Sequence, residues 1–170
     1  LQIFRRTTSG KFELINDDPW GEYFQLAHVG RALWTTDVNC DGRNDVFITH
    51  MNEQIRLLLN ESSDNNHRIS FRLAATRSSR DAVGAIVRFT VGDEPRALWV
   101  LSGDGYFCSN ERTLISGLSD QQSVSNVSVT WADGKTEEFG DLPADAGYLL
   151  VQGSTEAFLL KEYSIQNRNN

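Results

Sequence analysis

Hydrophobic and polar residues alternate with a period of two along much of this chain. Ile69, Phe71, Leu73 and Ala75 alternate with Ser70, Arg72 and Ala74. Val83, Ala85, Val87, Phe89 and Val91 alternate with Gly84, Ile86, Arg88 and Thr90, and Val127, Val129 and Trp131 with Ser128 and Thr130. Successive side chains of a strand face opposite sides of its sheet, so each pattern predicts a half-buried strand. Shorter runs predict strands near 2–6, 11–15, 45–50, 54–59, 97–101, 135–139, 147–152 and 157–162. Turn residues punctuate them at Ser9-Gly10, Gly92-Asp93, Gly103-Asp104-Gly105 and Ala132-Asp133-Gly134, the last reading as a hairpin turn between Trp131 and Lys135. Residues 18–29 read as a helical turn or a loop. The expectation is an all-β protein.

The polar run Glu61-Ser62-Ser63-Asp64-Asn65-Asn66 is the clearest boundary. It divides a segment over 1–62 from a β domain over 66–163, with a frayed tail at 164–170. The first segment holds about four strand patterns, the content of one four-stranded propeller blade. A lone blade cannot bury both its faces. Ile3, Phe12, Leu14, Phe24, Leu33, Trp34, Phe47, Leu57 and Leu59 are too many for one face packed on a neighbouring domain. The chain opens in mid-pattern at Leu1-Gln2-Ile3-Phe4, as expected of a mature product or a fragment of a longer protein.

Charge and composition narrow the function. The 170 residues carry a formal charge of −7, and only three of the basic residues are lysines: Lys11, Lys135 and Lys161. An acidic chain without a basic cluster is a poor ligand for nucleic acid or anionic lipid. No apolar run approaches the ~18 residues of a membrane-spanning helix. Cys40 and Cys108, the only cysteines, match no zinc spacing and are expected to be separate thiols. His28, His50 and His67 are scattered, with no HxH or HExxH arrangement. There is no Gly-x-Ser-x-Gly, no P-loop, and no carboxylate pair singled out by its context, so the expectation is not an enzyme.

The sharpest chemistry lies in Asp37-Val38-Asn39-Cys40-Asp41-Gly42-Arg43-Asn44-Asp45. Side-chain oxygens recur at the first, third, fifth and ninth positions: Asp37, Asn39, Asp41 and Asp45. A tight loop can turn alternate side chains toward one point, and Gly42 permits the reversal. The carbonyl of Arg43 can add a ligand while its side chain points out. Hard cations such as Ca2+ take six to eight oxygen ligands, and three carboxylates leave a net charge that suits one. The loop is not an EF-hand, whose twelfth position is Glu; here that position is Ile48. Asp, Asn and Gly also build ion-free turns. The four spaced oxygen donors and the Gly favour calcium.

Two stretches carry a family likeness. Gly30-Arg31-Ala32-Leu33-Trp34, the acidic loop, Asp45-Val46-Phe47-Ile48-Thr49 and Ile55-Arg56-Leu57-Leu58-Leu59-Asn60 together resemble an FG-GAP/VCBS-type propeller blade. Arg80-Asp81-Ala82-Val83-Gly84-Ala85-Ile86-Val87, Ser102-Gly103-Asp104-Gly105-Tyr106 and Val127-Ser128-Val129-Thr130-Trp131-Ala132-Asp133-Gly134 resemble the ASPIC/UnbV domain, which follows such blades in the cartilage acidic protein-like family. Ala132, Ser79 and Ser119 stand where that pattern has Pro, Asn and Gly. The likeness implies a propeller-type segment followed by an antiparallel β-sandwich-like domain. It also implies Ca2+ at Asp37, Asn39, Asp41, Arg43 and Asp45, and a secreted or cell-surface place. The partner expected is other protein, either further blades or copies of itself, in adhesion or assembly. The rivals are a carbohydrate-binding module, which would make the partner a glycan, and an accessory part of a larger enzyme.

Trp99 and Trp131, at alternating positions of apolar strands, are expected in the core. Asp104 and Asp133 are turn residues, Arg80-Asp81 is an ion pair fixing a loop, and Glu137-Glu138 is a solvated strand face. Trp20, Tyr23 and Phe24 are expected to dock on a neighbouring blade.

Overall fold

A computed structural model describes residues 2–7, 9–15, 21–62 and 66–163. The expected tail at 164–170, Trp20 and the middle of the polar boundary lie outside these residues. The fold is all-β. Among the described residues no helix is long and apolar enough to cross a membrane.

The C-terminal part is a sandwich of two four-stranded sheets. β6 (His67–Ala74), β7 (Ile86–Val91), β8 (Glu94–Trp99), β9 (Leu114–Ser119), β10 (Ser123–Thr130), β11 (Thr136–Pro143), β12 (Ala146–Val151) and β13 (Ala157–Glu162) supply its strands. One sheet runs β11-β10-β7-β8 and the other β13-β12-β6-β9. The alternation read from the sequence sets which side chains turn inward. Val87, Phe89, Val91, Val127 and Val129 come from the first sheet, and Ile69, Phe71, Leu73, Leu118, Tyr148 and Leu150 from the second, into one buried cluster. Phe71 and Phe89 meet in that cluster, ring centroids 5.4 Å apart. One pairing departs from the antiparallel expectation: β12 lies parallel to β6, with Ala146 opposite Ile69. Such pairing needs a long connection between its strands, and β7 to β11 fill it.

Three elements depart from the sequence pattern. The stretch 83–91 forms a strand only from Ile86, because Ala82 (φ 53°) and Gly84 (φ 88°) turn the chain first. β9 was not expected; Ser116 and Gly117 broke the apolar pattern of Leu114–Ser119. Trp99 is 54% exposed, whereas Trp131 is 2% exposed. Trp99 ends β8, an edge strand. The run Ala97-Leu98-Trp99-Val100 is apolar on both faces, so alternation cannot fix which side turns inward.

The N-terminal segment contains two sheets rather than one blade of four strands. β1 (Phe4–Arg6) and β2 (Phe12–Leu14) form a separate hairpin. β3 (Gly30–Thr36), β4 (Asp45–His50) and β5 (Arg56–Leu58) form a three-stranded antiparallel sheet with β4 central. Between them, Glu22–Gln25 make a 3-10 turn. Trp34, Phe47 and Leu57 lie opposite one another across the three strands, and the Trp34 and Phe47 rings stack at 5.1 Å.

Candidate functional site

The acidic loop joins the end of β3 to the start of β4 and is held by hydrogen bonds to its own carboxylates. Asp37 accepts the N–H of Asp41 on Oδ1 and of Gly42 on Oδ2, both at 2.9 Å. Asn39 Oδ1 accepts the N–H of Asp41 at 3.2 Å, and Asp41 Oδ1 that of Arg43 at 2.9 Å. Asp45 is wholly buried, and its two oxygens accept the N–H groups of Val38 (3.0 Å) and Asn60 (2.8 Å). Asp45 therefore ties both ends of the loop to the chain beyond β5. Each oxygen of this buried side chain has an N–H donor, which offsets the cost of taking it out of water.

Two cationic side chains reach these carboxylates. Lys161 Nζ lies 3.1 Å from Asp37 Oδ2. Burial disfavours its charge, but the bond to Asp37 and the neighbouring Tyr163 outweigh that and raise its pKa above the ordinary lysine value. Arg43 does not point away as expected; its Nη1 lies 3.2 Å from Asp41 Oδ2. Cys40, between Asn39 and Asp41, is exposed at φ 59°, and both cysteines are free thiols.

The donor set fits a hard cation. Asp37, Asn39, Asp41 and Asp45 offer oxygen ligands; Asp37 Oδ1 and Asp41 Oδ1 each accept one N–H and keep a second lone pair, whereas Asp37 Oδ2 and Asp41 Oδ2 each already accept from two donors. The three carboxylates do not converge within 4.8 Å of one another.

The loop sits against the sandwich. At Gly42 (φ 82°) an added Cβ would lie 2.6 Å from Arg68 Nε and 2.7 Å from the Tyr163 ring, so glycine serves both the turn and the close approach. The connection from β8 to β9 covers the outer edge of β3. Asn110 Oδ1 accepts the N–H of Thr35 at 2.7 Å, and the N–H of Glu111 donates to Thr35 O at 2.9 Å. Glu111 Oε2 accepts from Thr36 Oγ1 (2.7 Å) and from the N–H of Asp37 (3.1 Å). Burial alone would raise the Glu111 carboxyl. Bonds from Thr113, Thr36 and Asp37 and the charge of Lys161 hold it below the usual carboxylate range. Cys108 Sγ lies 3.1 Å from Leu33 O.

The other residues singled out in the sequence serve structure. Asp133 closes the hairpin turn through the N–H of Lys135 (3.1 Å) and also meets Arg77 and Gln152. Glu137 is no solvated residue: it accepts from Trp131 Nε1 (2.7 Å), Arg77 Nη2 (2.7 Å) and the N–H of Gly153. Burial opposes its charge, yet these donors keep its pKa below the ordinary value. Sharing a strand face with the buried Phe139 was the signal for this position. Asp81 pairs with Arg112 rather than with its neighbour Arg80. Asp104 accepts from the N–H of Asn110 at 3.0 Å. Tyr23 turns inward, stacking on His28 with ring centroids 4.2 Å apart. The histidines that looked scattered therefore include a pair, His28 and His50, brought together by the fold.

Among known proteins, residues 75–157 match the family model described as ASPIC and UnbV. The matched span runs from the end of β6 to the start of β13, so the observed sandwich extends beyond it at both ends. No curated protein matches the chain. The C-terminal sandwich thus contains an ASPIC/UnbV domain, which fits a module of a larger protein.

Proposed function

We propose that this chain is a non-enzymatic extracellular module for protein binding or assembly, with a calcium-stiffened blade segment of FG-GAP/VCBS type ending in the ASPIC/UnbV sandwich. The observation that carries this reading is uncovered apolar surface on the N-terminal segment. Phe4, Phe12, Leu14, Leu33, Leu57 and Leu59 are all exposed, while the sandwich core is closed. Burying a large apolar side chain is worth about 1.5–3 kcal/mol, so such a surface favours association with further blades or with another copy. Ca2+ would be held by the side chains of Asp37, Asn39, Asp41 and Asp45 and the carbonyl of Arg43. It supplies charge that stiffens the loop, as Lys161 and the Arg43 guanidinium do in part, and takes no role in a reaction. Size-exclusion chromatography with light scattering, with and without Ca2+, tests the reading. Association of the 170-residue chain is the expected result, and a stable monomer at high concentration would remove its support.

A second reading, binding of carbohydrate, draws on Trp99, Tyr106 and Phe107. These are exposed on and after β8, with Phe107 89% exposed, and exposed aromatic faces suit sugar rings. A glycan array separates the readings: specific glycan binding by a monomeric chain favours the second.

A further inference from the structure

At the opposite end of the β3–β4 hairpin from the acidic loop, two histidines and a glutamate meet. His28 precedes β3, His50 ends β4, and Glu53 lies in the turn before β5. Gly30 pairs with His50, and the N–H of Met51 donates to Val29 O at 3.0 Å, which closes this end of the sheet. One ligand atom from each of His28, His50 and Glu53 lies within 4.8 Å of the others. Among the described residues this is the one such group of His, Cys, Asp or Glu.

The second nitrogen of each ring identifies the chemistry. His28 Nε2 lies 3.0 Å from Tyr23 O, and His50 Nδ1 lies 3.1 Å from Gln54 O. A backbone carbonyl only accepts, so those nitrogens carry the protons. In neutral rings the lone pairs are then left on His28 Nδ1 and His50 Nε2. Metal-ligating imidazoles commonly donate their other N–H to a carbonyl or carboxylate, which fixes tautomer and ring plane. His28 Nδ1 faces Glu53 Oε2 at 2.8 Å, and His50 Nε2 faces Tyr23 Oη at 2.7 Å. The nitrogen and the carboxylate oxygen can share so short a contact with a proton between them; a metal ion is the Lewis acid that replaces it. The His28 side chain is only 6% exposed, and the stacked Tyr23 ring holds its plane.

We propose that His28, His50 and Glu53 form a binding site for one divalent transition-metal ion of the zinc type, with Tyr23 Oη beside the fourth position. Two imidazoles and one carboxylate suit zinc rather than calcium. Bonds of about 2.0–2.2 Å place tetrahedral ligands roughly 3.4 Å apart, so the 2.8 Å contact between His28 and Glu53 opens by a fraction of an ångström on loading. The site is independent of the acidic loop and of the function proposed above.

Titration of the 170-residue chain with Zn2+ by calorimetry, followed by Co2+ absorption, is the test. One equivalent of Zn2+ is expected, with visible Co2+ bands of a four-coordinate N/O site. His50→Gln and Glu53→Gln should each weaken binding at least tenfold and abolish the Co2+ bands. Glu53 lies in an exposed turn, so its variant keeps the test open if a histidine variant misfolds. Absence of Zn2+ binding to the parent chain would overturn the proposal. So would unchanged affinity in folded Glu53→Gln, which would leave an imidazolium–carboxylate pair as the whole explanation.

Discussion

The two parts of the chain are built from the same kind of strand, yet only one of them closes a core. In the sandwich, sheet faces sheet, and residues such as Phe71, Leu118, Leu150 and Trp131 are lost to solvent. In residues 2–62 the only buried hydrophobic side chains among those described are Ala32 and Ile48. The alternation is comparable; the number of layers is not. A half-apolar sheet becomes stable by burying its face against another element. Among the described residues, no strand-to-strand packing of comparable extent covers the three-stranded sheet. That sheet is held instead by polar bonds at its edge and loop, from Asn110, Glu111 and Lys161, and by Asp45.

The largest test of this contrast is truncation. Phe71→Ala should cost the sandwich about 3–5 kcal/mol in urea unfolding, the range for a buried phenylalanine. Leu57→Ala, exposed in the single chain, should stay within about 0.5 kcal/mol when unfolding is followed at concentrations too low for association. Equal costs would erase the distinction. Calcium comes next. An ion bound only to the folded loop at 100 times its Kd adds about 2.7 kcal/mol, so melts in Ca2+ and in EDTA should differ by several degrees. Hydrogen exchange should place the gain in residues 30–60 rather than in the sandwich. Identical melts would remove calcium from the account.

Gly42→Ala is expected to act at the seam between the parts. Forcing alanine into the left-handed region costs about 1–2 kcal/mol, and the added Cβ meets Arg68 and Tyr163. Exchange protection should fall in the acidic loop and β3 while β7 and β10 keep theirs. The smallest effect concerns pH. The Glu111 carboxyl is held below its ordinary range in the fold. Its contribution is therefore complete above the unfolded value, about 4.3, and is lost as pH falls through the lower folded value. Protection along β3 should decline in that acidic window, and Glu111→Gln should flatten the decline.

Much of the sandwich was legible because period-two patterning reports burial directly. Ile69, Phe71 and Leu73, and Val127, Val129 and Trp131, all turned inward as read. Gly134, at φ 83°, closes the turn after Trp131, with the N–H of Trp131 on Lys135 O at 2.8 Å. β9 was hidden because Ser116 and Gly117 follow the adjacent apolar pair Leu114-Ile115 and leave no period-two pattern, although Leu118 is fully buried. The spacing of the acidic loop was visible because its donors are local. The grip of Lys161 on Asp37 spans most of the chain and leaves no local trace. His28 and His50 were missed for the same reason, since the antiparallel register that unites them is a property of pairing, not of spacing.

The parallel alignment of β6 with β12 has a consequence for how the molecule is made. β6 is the first strand of the sandwich to leave the ribosome, and its partners β9 and β12 are both translated later. Until β12 emerges, Ile69, Phe71 and Leu73 have no complete sheet to enter, and the strand carries an open edge. Non-local closure of this kind is slow and exposes the nascent chain to mispairing. A stop codon placed just before Ala146 would therefore strip the centre of a sheet and not merely shorten its rim. Loss of the β1–β2 hairpin at the other end would leave both layers of the sandwich whole.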